Sequence, residues 1–407
     1  MPDSLEHLRV VELGGGLRAS YAAKCLADLG ADVVKVERPG GDIVRRWPPF
    51  IDDQPGPTRS GLFAYCNTNK RSIVVDYEQA EGQAFVLALT AEADVLIEGL
   101  APGRLGELGL GVDVLQDENP QLIVTSVTPY GQTGPKRDWK GTDLTAHAAT
   151  GIAMTTPLHV PDPASMPPLR PGGRQADFVA GLSSATATMF AIHQRRRTGH
   201  GSHVDVSAQE ALASFTRMDI AYRTYSPDEN RMAVSGAVRE GPDSTLYGLV
   251  PCKDGYFAFQ ATEDYQWRGL MRALGSPAWA EREEFQDPYD RVARWAEIDV
   301  LMQQRTMEMT KLEIYAAGQA EHVPVFPCYT TAEAVADPQM VAREYFVDVG
   351  RDDTGSVTMP GPAVRQERTP VSYRRPWPDL AEHSDEILTP ILGAERLAAL
   401  RASGVVA

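Results

Sequence analysis

The chain has 407 residues, 43% hydrophobic and 23% charged, a composition typical of globular proteins that bury a large core. Its net charge of −16 argues against a nucleic-acid binder, because phosphate contacts need a basic surface. The sequence shows no secretion signal, no apolar stretch long enough for a bilayer and no cysteine spacing of a metal site, which predicts a cytoplasmic protein without membrane contact or bound metal.

The first two hundred residues alternate between apolar, strand-like runs and helical segments. Ser20–Leu29 has helical periodicity, and a longer helix is predicted from Asp177 to Arg197 with Gly199 as its stop signal. Strands are predicted at Arg9–Leu13, Asp32–Glu37, Ser72–Val75, Asp94–Ile97, Leu122–Val127 and His203–Ser207. Such alternation predicts an α/β fold with a mainly parallel sheet and helices on both faces.

The pattern changes in the second half of the chain. Residues 160–173 are rich in Pro and Gly and predict a loop. Further on, Pro242–Gln260 suggests a hairpin and Tyr265–Gly318 is mostly helical with many charged positions. We interpret residues 226–330 as a smaller second domain.

A glycine-rich turn after the first strand fits the fingerprint of dinucleotide binding. Gly14, Gly16 and Ala19 have its spacing, and Glu37 ends the next strand where the ribose-binding acid would lie. Taken alone this favours an oxidoreductase with a nicotinamide cofactor. A tight strand-to-helix turn needs glycine whatever it binds, so we favour the structural alternative and expect no nicotinamide cofactor.

Several longer segments distributed along the chain carry a family resemblance. They are LADLGADVVKVERPGGD (26–42), CNTNKRSIVVD (66–76), SVTPYGQTGP (126–135), LRPGGRQADFVAG (169–181), TGHGSHVDVSAQEA (198–211), VPVFPCYTTAEAVADPQMVAREYF (323–346), PGPAVR (360–365) and EHSDEIL (382–388). Together they resemble the class III coenzyme A transferases, the family that includes formyl-CoA and carnitine CoA transferases and alpha-methylacyl-CoA racemase. The middle, roughly 226–320, resembles the family only loosely.

The resemblance implies a Rossmann-like large domain, built from residues 1–225 and 331–407, and a smaller α+β domain over 226–330. It also implies an interlocked homodimer that takes an acyl-CoA donor and a carboxylic acid acceptor. The family's nucleophilic aspartate falls on Asp177. Its CoA contacts fall on the first turn around Leu17, on Arg38 and in the segment Glu98–Gly109, which contains Gly99, Leu100 and Arg104.

An aspartate suits CoA transfer because a carboxylate can attack an acyl-CoA to give a mixed anhydride and free thiolate. The thiolate then forms an enzyme–CoA thioester, and an incoming carboxylate reverses the sequence. Asp177 precedes a long helix whose N-terminus would favour the ionised form. From position alone, helix capping is the favoured role for Asp177; the context of Arg170, Gly172 and Asp177 reverses this preference by resemblance and favours catalysis.

Further polar residues are candidates for the same site. Asp143 follows SVTPYGQTGP and either orients the acceptor or caps a helix from Leu144 to Met154. Lys140 matches a family lysine near the CoA phosphates. Because the net charge is negative, binding of the anionic CoA would need a local patch of basic residues, and Lys70 with Arg71 is a candidate. Such a cluster could equally be an ordinary solvent-exposed surface.

The sequence also departs from the family pattern. Arg18-Ala19-Ser20 stands where Ala-Gly-Pro is common, Glu107 replaces the usual arginine, and Arg239-Glu240-Gly241-Pro242 stands in the region of the glycine-rich loop. The racemase branch needs a His–Asp pair, yet Thr142 occupies the histidine position, so His147 is left to a structural or exposed role. These features favour a transferase, with a racemase or isomerase and a catalytically silent CoA-binding protein as alternatives.

Overall fold

The computed structural model of the protein describes residues 3–155, 167–216, 220, 221, 224 and 247–407. Residues 160–166 of the predicted loop and the segment Arg239-Glu240-Gly241-Pro242 lie outside the described residues. The chain divides into two compact units, one formed by Met1–Thr150, Pro171–Ser214 and Val341–Ala407 and the other by Gly151–Arg170 and Phe215–Met340. The domain boundaries drawn from the sequence stay a prediction beside these unit bounds.

A six-stranded sheet forms the centre of the first unit. Its strands are β1 Arg9–Leu13, β2 Asp32–Glu37, β3 Lys70–Val74, β4 Val95–Glu98, β5 Ile123–Thr128 and β6 His203–Ser207. They pair in parallel in the order β3-β2-β1-β4-β5-β6, which confirms the predicted α/β fold. The strand order reverses beside β1, so the carboxyl ends of β1 and β4 meet where doubly wound sheets bind their ligands.

Eight helices among the described residues of the first unit come before the second unit's strands. They are α1 Leu17–Asp28, α2 Gly61–Cys66, α3 Ala80–Ala91, α4 Arg104–Glu107, α5 Val112–Glu118, α6 Asp143–Ala148, α7 Gln175–Thr198 and α8 Ala208–Ala213. The long helix α7 ends as predicted, with Gly199 in the left-handed conformation after a basic last turn.

Helices α1 and α7 pack closely against each other on one face of the sheet. Gly181 of α7 makes this possible, because a Cβ atom there would lie 2.8 Å from the carbonyl oxygen of Arg18 and 3.0 Å from Cβ of Tyr21. The ring of Tyr21 meets that of Phe178 edge to face, with centroids 4.8 Å apart. The start of α7 is thereby held against the start of α1.

The second unit contains a small antiparallel sheet with a helical layer. Its sheet has the strands β7 Tyr247–Cys252, β8 Gly255–Gln260 and β9 Val325–Pro327, so the predicted hairpin is present in its later part. The helices are α9 Asp264–Ala273, α10 Pro288–Ala293, α11 Trp295–Thr306, α12 Lys311–Ala320, α13 Thr331–Val335 and α14 Pro338–Ala342, the last of which extends two residues into the first unit. Phe257, Trp267 and Ile298 are buried in its apolar core, and the unit is the predicted smaller α+β element.

The carboxyl-terminal segment completes the first unit. It forms the hairpin of β10 Phe346–Arg351 and β11 Gly355–Pro360, then the helices α15 Ser384–Leu392 and α16 Ala394–Ala402. Leu388 and Leu397 join Phe85 and Leu115 in the core on the sheet face opposite α1 and α7. Both faces of the sheet are therefore covered, as predicted. None of the described helices has the length and apolar character that crossing a bilayer requires.

Candidate active site

Asp177 is the third residue of α7 and is almost completely buried, with 4% of its surface exposed. The cap position of that helix is taken by Arg174, which adopts a left-handed conformation with φ of 55°. Asp177 therefore does not occupy the cap position of its own helix. The Asp177 carboxylate is left to other partners.

Two guanidinium groups flank the Asp177 carboxylate. Nε of Arg18 lies 2.8 Å from Oδ1, and Nη1 of Arg174 lies 3.8 Å from Oδ2. The Nε–H of Arg18 does not point at the oxygen, so this contact is an ion pair without an aligned hydrogen bond. The Arg174 guanidinium stacks on Trp47, 4.0 Å from the ring centroid. Sequence reasoning treated Arg18 only as a departure from a pattern and missed Arg174.

The surroundings of Asp177 pull its ionisation in opposite directions. Burial raises the pKa of Asp177, Arg18 and Arg174 lower it, the nearby Asp143 carboxylate raises it, and the net result lies above the ordinary value of 3.8. The expectation that the helix N-terminus alone favours the ionised form is thus incomplete. The carboxylate is less stabilised than a surface aspartate and more ready to give up its charge in a reaction.

Asp143 lies directly beside the nucleophile candidate. Its Oδ1 accepts a hydrogen bond of 3.2 Å from the backbone N–H of Asp177. Helix α6 is capped by Thr142, whose side chain accepts from the Thr145 N–H, so Asp143 caps the start of α7 instead of its own helix. His147 of α6 is buried. The structure thus brings both predicted catalytic aspartates together.

The glycine turn after β1 is fixed by an internal carboxylate. Asp42 accepts from the Gly16 N–H at 3.2 Å and pairs with the Lys35 ammonium at 2.6 Å. Glu37 binds Arg45 through two hydrogen bonds of 2.7 Å. Two of the groups that a dinucleotide's pyrophosphate and ribose would need, the Gly16 N–H and the Glu37 carboxylate, are therefore already bonded within the protein.

The carboxyl end of β4 meets this turn. A Cβ atom on Gly99 would lie 2.5 Å from the carbonyl oxygen of Gly15, and one on Gly14 would lie 2.6 Å from Cδ2 of Leu100. Leu17 begins α1 directly after this turn and is buried in an apolar cluster. The structure thus brings the predicted CoA contacts Leu17, Gly99 and Leu100 to the switch point of the sheet.

Glu98 is a buried acid just before Gly99. Burial raises the pKa of Glu98 to about 7, although the Leu100 N–H donates to its Oε2 at 2.7 Å. Gln132 lies 3.4 Å from its Oε1. In the sequence Glu98 was noted only as the start of a matching segment; the available signal was an acidic residue directly after the apolar run of β4.

Three of the predicted basic CoA contacts follow strands at their carboxyl ends. Arg38 follows β2 and is exposed. Burial raises the pKa of Tyr77, and the positive charge of Arg38 opposes that shift. Arg104 pairs with Glu78 and with Glu107, the latter at 2.8 Å. Lys140 is exposed in the segment before α6. These three side chains are accessible to solvent, although the guanidinium of Arg104 already forms two ion pairs.

Lys70 and Arg71 take other roles than the predicted CoA contacts. The Lys70 ammonium is fully buried and donates to Glu12 and the Ser20 carbonyl, both at 2.7 Å, and to Asn67. Arg71 pairs with Asp32 and Glu386. Both begin β3 and pair with the first half of β2, away from the carboxyl ends of the strands. The charges of both side chains are therefore taken up by partners within the protein.

The buried charges beneath α1 form one network. Burial opposes ionisation of Glu12, but the ammonium groups of Lys35 and Lys70 outweigh it and lower the pKa of Glu12. Ser20 of α1 donates to the same carboxylate at 2.7 Å. Because every one of these charges has a partner, the network fixes the position of α1 over the sheet.

Comparison with known proteins shows which family has a matching sequence. Residues 5–384 match the family model described as CoA-transferase family III. The chain belongs to that family. As a CoA-transferase of family III, it acts on CoA thioesters, and its relatives support transfer of CoA between acyl-CoA and carboxylates.

The most similar proteins include named CoA-transferases. This CoA-transferase is 33% identical to "Succinate--glutarate CoA-transferase" of Agrobacterium fabrum, with 97% of each chain covered. It is also 33% identical to "Succinyl-CoA--D-citramalate CoA-transferase" of Chloroflexus aurantiacus, over 100% of this chain and 98% of the relative. A CaiB/BaiF family protein from Brucella suis matches in structure with a TM-score of 0.81 and 31% identity, covering 99% of this chain and 100% of that one.

Proposed function

We propose that this CoA-transferase moves CoA from an acyl-CoA donor to a carboxylic acid acceptor through covalent intermediates on Asp177. The observation behind the proposal is a buried aspartate at the start of α7, flanked by two guanidinium groups and packed beside the switch point of the sheet. A nucleophile needs this combination of a fixed position and exclusion of water.

The reaction consists of two mirrored halves. An oxygen of Asp177 attacks the donor's acyl carbon, the C–S bond breaks, and a mixed anhydride and CoA thiolate form. The thiolate attacks Cγ of Asp177, which releases the donor acid and leaves an Asp177–CoA thioester. The acceptor carboxylate then attacks Cγ and expels the thiolate, which takes the acceptor acyl group and restores the Asp177 carboxylate.

The surroundings of Asp177 suit these reaction steps. Each step moves one negative charge among carboxylate, thiolate and released acid, so no strong base is needed. The raised pKa of Asp177 makes its carboxylate a better nucleophile once ionised, and the charges of Arg18 and Arg174 favour the ionised form. Asp143 holds the backbone of Asp177 and positions it.

The CoA moiety is proposed to lie along the carboxyl ends of β1, β2 and β4. Gly99 and Leu100 line the turn that would face the pantetheine arm, and Leu17 follows the turn as the first residue of α1. Arg38, Arg104 and Lys140 are the accessible cations for its phosphates. Binding of this remote part of the substrate would supply the energy that positions the reacting carbonyl.

The acyl groups are proposed from the relatives' names. Two of them name succinate or succinyl-CoA together with a second dicarboxylic acid, glutarate or citramalate. Succinyl-CoA is therefore the first donor to test, with dicarboxylic acids as acceptors. The proposed assembly is a homodimer.

Trapping of the acyl–enzyme tests the proposal. The tryptic peptide Gln175–Arg195 contains Asp177 as its only side-chain carboxylate, so mass spectrometry can localise an adduct without ambiguity. We expect wild-type protein incubated with succinyl-CoA and hydroxylamine to carry a hydroxamate on this peptide. Asp177→Ala should lose it together with transferase activity, whereas Asp117→Ala, at an exposed site on α5, should retain both.

Two outcomes would contradict the proposal. Transfer of CoA by Asp177→Ala at a rate close to wild type would exclude Asp177 as nucleophile. Exchange of the donor's alpha proton with deuterated water in the absence of acceptor, without any adduct, would assign the protein to the racemase branch instead.

A further inference from the structure

Arg18 presents an unusual guanidinium beside the nucleophile. It is the second residue of α1, and only 17% of its side chain is exposed. Its Nε lies 2.8 Å from Oδ1 of Asp177, while its two terminal nitrogens make no hydrogen bond or ion pair within the part of the chain that the structure describes. The forked end that suits a planar carboxylate is therefore not used by Asp177.

Asp177 loses its negative charge and regains it during the proposed reaction, so the ion pair that Arg18 makes is broken and formed again. In the free enzyme the carboxylate offsets the guanidinium. When Asp177 becomes a thioester its negative charge is gone, and a largely buried cation is left without its partner. Such an unpaired charge is costly, and a second carboxylate at the same place removes the cost.

The backbone of Arg18 is fixed firmly enough for this role. The Gly16 N–H is bonded to Asp42, which is itself paired with Lys35, so the first turn of α1 is anchored. The carbonyl of Arg18 packs against Gly181 of α7. Arg174 is held by its stacking on Trp47 and stays further from Asp177, at 3.8 Å.

We propose that Arg18 binds the carboxylate of the acceptor acid in the Asp177–CoA thioester and returns to Asp177 when the cycle closes. This inference rests on the proposed function of the same site. The acceptor carboxylate, held by the fork of Arg18, forms a C–O bond to Cγ of Asp177 as the C–S bond breaks and CoA leaves as thiolate. The thiolate then attacks the acceptor's carbonyl carbon, and the electron pair of the broken C–O bond restores the Asp177 carboxylate.

The proposal makes Arg18 specific for one substrate of the pair. The acyl-CoA donor presents a neutral carbonyl to Asp177, and its affinity should depend little on Arg18. The acceptor is an anion, and its affinity should depend on Arg18 strongly. A merely structural role would change both, together with the melting temperature.

The test isolates the second half-reaction. Wild type, Arg18→Gln, Arg18→Lys and the control Arg197→Gln, from the exposed far end of α7, are charged with succinyl-CoA and freed of excess donor by gel filtration. Intact-mass measurement verifies the thioester, and discharge is followed against glutarate concentration. Loss of a buried charge partner commonly weakens binding on the order of 10²-fold, so we expect the half-saturating glutarate concentration to rise about tenfold or more in Arg18→Gln.

Further readouts separate the outcomes. Arg18→Lys should be intermediate, because it keeps the charge and loses the fork, and KM for succinyl-CoA should stay within about threefold of wild type. In the wild-type protein, methanesulfonate should compete with glutarate at the thioester and not with succinyl-CoA at the free enzyme. If the Arg18 variants fold poorly, the methanesulfonate experiment on the wild-type protein is the deciding test. Equal inhibition of succinyl-CoA binding to the free enzyme and of glutarate binding to the thioester would overturn the inference.

A failure of the inference differs from a failure of the proposed function. No thioester on wild-type protein would contradict the proposed function. A normal thioester with unchanged glutarate dependence in Arg18→Gln would contradict only the role of Arg18.

Discussion

At the scale of single residues, the Asp177 carboxylate is balanced between burial and opposite charge. Burial raises the pKa of Asp177, and Arg18 and Arg174 oppose it without cancelling it. A raised pKa in the folded protein means that the ionised form costs stability, and that this cost appears as the pH rises through the folded pKa. The protein thus holds a destabilised carboxylate where the proposed reaction consumes it.

The pH dependence of thioester formation should report this balance. Only the ionised carboxylate attacks, so the single-turnover rate with succinyl-CoA should fall as the pH decreases through a pKa above the ordinary 3.8. In Arg18→Gln one of the lowering charges is gone, and the acid limb should move to higher pH. Rapid-quench mass spectrometry measures it, with Arg197→Gln as control; equal acid limbs in both variants would contradict the electrostatic role of Arg18.

At the scale of elements, the site depends on the contact between α1 and α7. Arg18 belongs to α1 and Asp177 to α7, and Gly181 allows the two helices to pack closely. The buried network of Glu12, Lys35 and Lys70 anchors α1 from below. The distance between nucleophile and guanidinium is therefore set by packing as much as by charge.

Gly181→Ala tests this dependence. The added Cβ would lie 2.8 Å from a backbone oxygen, so one helix must shift. We expect a loss of about 1–3 kcal/mol in the free energy of unfolding, typical of overpacking, measured by denaturant titration. Thioester formation should slow by about tenfold or more, because small displacements of reacting groups are costly.

Gly106→Ala is the matched control for that variant. Gly106 lies in α4, and the position that its Cβ atom would take is surrounded by open space, so alanine should be neutral or slightly stabilising. A Gly181→Ala protein with wild-type stability and thioester formation would show that the close approach of α1 and α7 does not position the site.

At the scale of the whole molecule, α7 leaves an apolar surface exposed. Leu182 and Phe190 are 53% and 71% exposed and lie about two turns apart on the same helix. Exposed apolar groups of this size are typical of interaction surfaces. The homodimer implied by the family resemblance would account for them.

We therefore expect Leu182→Glu with Phe190→Glu to dissociate a dimer of the wild-type chain into monomers. Two carboxylates placed in an apolar interface must give up their hydration without gaining a partner, and this cost opposes association. Sedimentation velocity measures the mass, and Leu312→Glu, an equally exposed leucine in the second unit, is the control. A wild-type protein that sediments as a monomer would contradict the homodimer.

The sequence predicted the parallel sheet because its strands are buried on both faces and appear as apolar runs. Val10, Val11 and Leu13 in β1 are examples. It also singled out Asp177 and Asp143 by motif, and the structure brings them together. These features depend on neighbouring residues and local patterns.

The charged partners could not be predicted in the same way. Lys70 was predicted to contact CoA, but its ammonium pairs with Glu12. Glu12 lies far away in the sequence, and only the strand order of the sheet brings the two residues together. Arg18 reaches Asp177 only through the packing of α1 on α7. Arg174 occupies a left-handed conformation that no glycine signals.

The central claim is that Asp177 exchanges an oxygen atom with the substrates, and one measurement tests it directly. An acceptor acid labelled with heavy oxygen in its carboxylate is turned over with succinyl-CoA, and the peptide Gln175–Arg195 is then analysed by mass spectrometry. Because the acceptor's oxygen bonds to Cγ and stays there when the anhydride is cleaved, we expect the label in Asp177, and none when the donor is omitted. Turnover that leaves this peptide unlabelled would contradict the account.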